Sequence, residues 1–102
     1  MMRLSERTEK IIKVLFEEEL QDEVRNAFFE KLFIPLRKIE VSERICFAAL
    51  KYSKGELDRL FIALEEGSKD YRDLLVAAYF ASDLNAHEKW ADSILNKDLL
   101  SH

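Results

Sequence analysis

Four residues in the C-terminal half of this chain could do chemistry together. Asp70 and Asp73 stand three apart, and Asp83 precedes His87 by four. If a helical hairpin brought them together, three carboxylates could take a hard divalent cation, and the imidazole would suit Zn²⁺ or act as a general base. Local structural roles account for the same residues more simply. Carboxylates at 70 and 73 fall in the first turns of a helix, where they favour the positive end of the macrodipole; Asp83 sits just ahead of a cap, and Arg72 is adjacent. No established metal spacing such as H-E-x-x-H occurs. The set Asp70, Asp73, Asp83 and His87 is therefore a metal or acid-base candidate only. No catalytic residue is assigned, and no cofactor is expected.

Other chemistries find still less support. Cys46 is the only cysteine, which removes intrachain disulfides and cysteine-based metal sites; its neighbours Ile45, Phe47 and Ala48 are apolar, so it reads as inert packing. Only Gly55 and Gly67 are available for a phosphate-cradling loop, and both read as helix punctuation. The serines at 42, 53 and 68 each have a capping explanation. His87 and Trp90 share a helix face, where Trp90 is expected to staple the last helix to the body and His87 to lie on the surface.

The charge pattern speaks against nucleic acid. The chain is net −4, distributed as +2 over residues 1–16, −4 over 17–34, +3 over 35–54, −3 over 55–73 and −2 over 74–102. Alternating signs build no basic stripe, and phosphate binding depends on one. Residues 44–64 have the outline of a helix-turn-helix, yet its second helix offers Glu56, Asp58, Glu65 and Glu66 against Arg59. DNA binding is thus a disfavoured alternative. The run Glu17-Glu18-Glu19 with Asp22 and Glu23 reads as a solvated helix face.

The elements that must carry these residues are helices. Two glycines and one proline in 102 residues are too few for a turn-rich β fold, and one domain is the natural size class. Ile12, Phe16, Leu20, Val24, Phe28 and Leu32 recur every four residues. A strict four-residue stripe drifts around the helix, so two helices are expected, broken near Gln21-Asp22, with Pro35 ending the second. Ser42 caps a helix over 43–52 with Ile45, Ala48, Ala49 and Tyr52 inward. Ser53-Lys54-Gly55-Glu56 reads as a capping box opening the next helix, Gly67 as its left-handed stop, and Ser68 as the following cap. That helix should turn Leu74, Leu75, Ala78 and Tyr79 inward, and Asn85 should open a last helix carrying Trp90, Ile94 and Leu95.

The segments Glu43-Arg44-Ile45-Cys46-Phe47-Ala48-Ala49-Leu50-Lys51, Asp70-Tyr71-Arg72-Asp73-Leu74-Leu75-Val76-Ala77-Ala78 and His87-Glu88-Lys89-Trp90 together resemble small bacterial proteins of unassigned function. The resemblance covers residues 43–90. It implies a compact all-helical fold and a bacterial cytoplasmic source, and it transfers no activity. Where such proteins tend to have glycine near residues 79–80, this chain has Tyr79 and Phe80.

The expected architecture is a single all-α domain over 1–102, a bundle of five or six helices. Residues 43–95 form the short-helix body, and residues 8–34 lie across it or reach outward. The cluster Phe28, Phe29, Leu32, Phe33 and Ile34 carries more apolar surface than one helix side should hide, which marks an interface. The expected function is a non-enzymatic protein-protein interaction or regulatory module, forming a homodimer or docking another protein through its N-terminal helices. No apolar stretch reaches the roughly 20 residues of a membrane span, and no secretory signal opens the chain; a cytoplasmic location is expected, with no membrane partner.

Overall fold

The computed structural model describes the backbone of residues 2–100 and the side chains of residues 2–96. The described chain is all-helical: α1 (Glu6–Leu15), α2 (Glu18–Phe28), a π-helical turn (Phe29–Phe33), the single turn α3 (Ile34–Leu36), α4 (Glu43–Ser53), α5 (Leu57–Lys69), α6 (Tyr71–Ala77) and α7 (Ala86–Leu100). Six helices have seven residues or more among those described. The core is continuous from Ile11 and Ile12 through Phe28, Phe33, Phe47, Leu60 and Leu75 to Ala91. Residues 8–34 therefore belong to the body and do not reach outward.

The first helix starts where Ser5 accepts the Thr8 N–H at 3.2 Å. It breaks at Phe16-Glu17, five residues earlier than expected. Phe16 is extended (φ −123°, ψ 141°) and buried, and the Gln21 side-chain amide donates to its carbonyl at 3.2 Å. Glu17, Glu18 and Glu19 then open α2, placing carboxylates at the positive end of its dipole. Asp22, expected to cap, lies inside α2 and pairs with Arg25, whose Nε also donates to Glu9 at 2.7 Å and ties α2 to α1.

Pro35 does not end the second helical stretch. In a regular helix its ring would strike the carbonyl four residues back, and it has no N–H to donate. The preceding turn is widened instead, with the Ile34 N–H bonded to the Phe29 carbonyl five residues back. The chain continues one more turn and stops at Arg37, which adopts φ 57° while Lys38 N–H bonds Phe33 O at 3.0 Å.

In the C-terminal half, Ser42 caps α4 as expected, accepting from Arg44 N–H at 3.2 Å. The expected capping box at Ser53 does not form. Ser53 is the last residue of α4; its hydroxyl donates to Leu50 O at 2.6 Å and accepts from Gly55 N–H at 3.2 Å. Gly67 is not a helix stop either. It lies within α5, 3.0 Å from Leu74 and 3.4 Å from Leu32 as measured from the Cβ it lacks, so its smallness lets α6 and the π turn approach. The α5/α6 boundary falls at Asp70, not Ser68; the Asp70 carboxylate accepts the Arg72 N–H at 3.0 Å.

The α4–α5 turn depends on Gly55. Its φ is +79°, and a Cβ there would stand 2.8 Å from the Leu15 carbonyl oxygen at the end of α1. Gly55→Ala is expected to destabilise the protein by about 2 kcal/mol or more, from the left-handed backbone and the clash together, lowering Tm by roughly 8 °C or more. Thermal unfolding followed by circular dichroism checks this; a Tm within 2 °C of the parent, about 0.5 kcal/mol, would refute it.

Candidate functional site

The four chemistry candidates are dispersed. Asp70 is spent on Arg72, whose guanidinium lies 3.1 Å away and holds the carboxyl below its usual range, helped by the backbone N–H of the same residue. Asp83 is likewise held low, first by the Asn85 N–H at 2.8 Å and then by Lys89 at 3.3 Å. Asp73 lines a groove with Tyr52, Ile62 and Leu74. His87 packs between Phe47 and Phe80, with ring centroids 6.0 and 6.3 Å away, and is mostly buried where a surface position was expected. Among the described residues no three His, Cys, Asp or Glu side chains gather to hold a metal ion.

Trp90 does staple α7 to the body, its ring 6.1 Å from Phe47 and 6.2 Å from Phe80. Cys46 is buried, and desolvation pushes its thiol pKa up to about 12, which keeps it out of nucleophilic chemistry at neutral pH.

A different polar cluster joins the helices, one the spacing pattern did not reveal. Arg7 on α1 reaches Glu43 at the start of α4 (2.6 Å) and Glu88 on α7 (3.3 Å), with its guanidinium over the Phe47 ring at 5.4 Å. Ser5 adds a hydroxyl to Glu43 at 2.6 Å. The Arg7 hydrogen bond, with that of Ser5, holds the Glu43 carboxyl below its ordinary range. The neighbouring cavity of about 520 Å³, bordered by Arg3, Ser5, Glu40 and Ser42, is lined by polar groups that largely bond one another, as in the Arg3–Glu40 pair at 3.0 Å. Buried beside this cluster, His87 Nδ1 has no hydrogen-bond partner, and neither does Arg44 Nε.

Two of the five cations in the basic block at 35–54 are consumed by the fold. Arg44 donates to Phe80 O at 2.6 Å, and Lys51 donates to Ala78 O at 2.8 Å while lying over the Tyr79 and Phe80 rings. Lys51 thereby caps the negative end of α6, and Arg44 holds the turn that follows it. In α5, the second helix of the supposed helix-turn-helix, Leu60, Ala63, Leu64 and Gly67 are buried, and exposed Asp58, Glu65 and Glu66 would meet phosphate with like charge.

The expected interface cluster is mostly internal. Phe28, Leu32 and Phe33 are fully buried, the first at the end of α2 and the other two in the π turn; Phe29 is half-buried with its ring edge-on to Phe33, and only Ile34 is exposed. Among the described residues, half of the large exposed apolar side chains lie on α6 and the turn after it. Val76, Tyr79 and Leu84 are 63, 81 and 73% exposed, and Tyr71 is half exposed at the start of the helix. Tyr79, expected inward, is carried outward because it takes φ 63° at the helix end, where Phe80 N–H closes back on Leu75 O at 2.8 Å. Glycine is the usual occupant of that position. A groove of about 390 Å³ runs beside Tyr71 and Leu75, walled by Val41 and Ile45.

No protein-family model, curated protein or solved structure matches the chain, so the resemblance of residues 43–90 to bacterial proteins brings no family with it. No described helix is long and apolar enough to cross a membrane.

Two outcomes follow from this geometry. Because Glu43 has a lower pKa folded than unfolded, its stabilising contribution is complete above its ordinary value of 4.5 and is lost as pH falls through the folded value. The Tm difference between wild type and Glu43→Gln should be largest at neutral pH and shrink below pH 4.5; a pH-independent difference would contradict the Arg7 pairing. Melting curves with added Zn²⁺, Mn²⁺ or Mg²⁺ should superimpose on the metal-free curve, whereas a rise that disappears in Asp73→Ala would restore the metal-enzyme alternative.

Proposed function

We propose that this chain is a non-enzymatic protein-protein interaction module, working in the cytoplasm and contacting its partner through α6 and the turn that follows. The observation that carries the proposal is Tyr79. It stands 81% exposed in a left-handed conformation that costs an L-residue roughly 1–2 kcal/mol. Val76 and Leu84 flank it in sequence and are also exposed, at 63 and 73%, and exposed apolar side chains that lie together mark contact surfaces. The dispersal of the carboxylates and His87 leaves the enzyme alternative without an assembled site. Self-association, first expected at Phe28–Ile34, moves to this face.

Tyr79→Gly separates fold from function. Glycine relieves the backbone, so Tm should hold or rise, whereas partner contact should weaken. A photo-crosslinking side chain placed at Val76 or Leu84, in the cells that produce the protein, should give a discrete adduct that Tyr79→Gly diminishes. The same group at Lys10 or Glu19 should not. An adduct of twice the chain's mass would identify a second copy as the partner. Equal labelling at all four positions would refute the assignment.

A further inference from the structure

Resting on the interaction reading, we infer that the groove between the 36–45 connector and α6 takes an amphipathic peptide segment of its partner bearing carboxylates. The floor is apolar, formed by Leu36, Val41, Ile45 and Leu75, with the Tyr71 ring at one end. Its volume of about 390 Å³ suits a few apolar side chains. The apolar surface extends past the groove through Ile39, 62% exposed in the connector, which favours a chain segment over a compact small molecule.

The charges around the groove select the partner's sign. Glu40 is neutralised by Arg3 and Asp70 by Arg72. Lys38 on the rim and Arg37, its neighbour in the connector, are exposed and have no ion pair among the described residues, whereas Arg44 on the wall is held by the carbonyls of Phe80 and Ala81 and faces Asp83. One unpaired cation thus lines the apolar groove and a second adjoins it in sequence, on a chain that is net −4. The net charge of the chain works against acidic partners, and these cations locally favour them. An apolar floor offers nothing to a sugar-phosphate backbone, and two cations are few for one, which favours a carboxylate-bearing peptide over nucleic acid.

The geometry also explains how a mostly acidic domain could choose orientation. Leucine-type side chains would enter between Ile45 and Leu75, while carboxylates on the peptide's outer edge would lie toward Arg37 and Lys38. Apolar contacts would hold the segment, and the charges would set partner choice and on-rate.

The test uses the full chain and a fluorescein-labelled 16-residue helical peptide with leucines on one face and glutamates on the other, read by fluorescence anisotropy. Binding should weaken by about tenfold in the double variant Arg37→Glu, Lys38→Glu, and by a similar factor in Tyr71→Ser. All three substitutions are at exposed positions, and unchanged circular dichroism confirms the fold. The matching leucine-lysine peptide should bind the parent weakly and the charge-reversed variant better. Equal affinity of glutamate and lysine peptides, or no effect of the double variant, overturns the acidic preference while leaving the α6 face as a contact surface. No binding of the glutamate peptide, beside crosslinks at Val76, overturns the groove alone. Displacement of the peptide by a 20-nucleotide single strand as readily as by unlabelled peptide overturns the choice of a protein segment.

Discussion

Everything in this structure is arranged around the complete burial of the middle of α4. Cys46, Phe47, Ala48, Ala49 and Leu50 are five consecutive buried residues, and at 100° per residue they cover the whole circumference of the helix. A helix buried on every side must be surrounded, and α1, α5, α6 and α7 all pack on α4. Ala48 and Ala49 let neighbours come close, and Phe47 fills the space toward α7, meeting His87 and Trp90. The polar ends of α4 are then used to lock the surround. Glu43 receives Arg7 from α1, while Arg44 and Lys51 hold the end of α6.

That arrangement decides which surfaces remain for function. Phe28 and Phe33 complete the far side of the core against α5. Helix α6 is short and packs on α4 and α5, which leaves its outer side bare. Tyr79 and Lys54 both hold left-handed conformations without being glycine, and so does Arg37. The strain at these turns is borne by side chains that can make contacts, since Tyr79 and Arg37 are both exposed.

The helices themselves were largely legible. Ser42 and the 43–52 segment were read closely, and Leu74, Leu75 and Ala78 were placed inward as found. The break in the N-terminal helices was misplaced although a signal was present: three consecutive glutamates favour a helix start, and Glu17-Glu18-Glu19 is where α2 begins. Ser53 and Ser68 look like caps in isolation, yet the competing Asp70 sits where the chain actually turns, and Ser53 spends its hydroxyl on the helix it ends. Of the candidate site, only the components could be read. Asp70 and Asp83 found local partners within six residues, as their positions suggested, but nothing in the spacing showed Arg7 reaching Glu43 and Glu88.

The sequence by itself determined an all-helical chain, because periodicity, few turn formers and N-caps act within a few residues and need no tertiary partner. It also determined an acidic surface with a basic block at 35–54. Only the tertiary structure decided that Pro35 could be passed by a widened turn, that Gly67 serves close packing and not a stop, and that Tyr79 faces outward. Gly67 is set by how closely Leu32 and Leu74 approach, and Tyr79 by the closure of Phe80 N–H on Leu75 O, neither of which shows in residue types alone. The fate of the charges was decided the same way. Cations that share a block in the sequence divide in space, Arg44 and Lys51 onto carbonyls while Arg37 and Lys38 stay exposed and unpaired among the described residues, because pairing follows distance in the fold and not order in the chain.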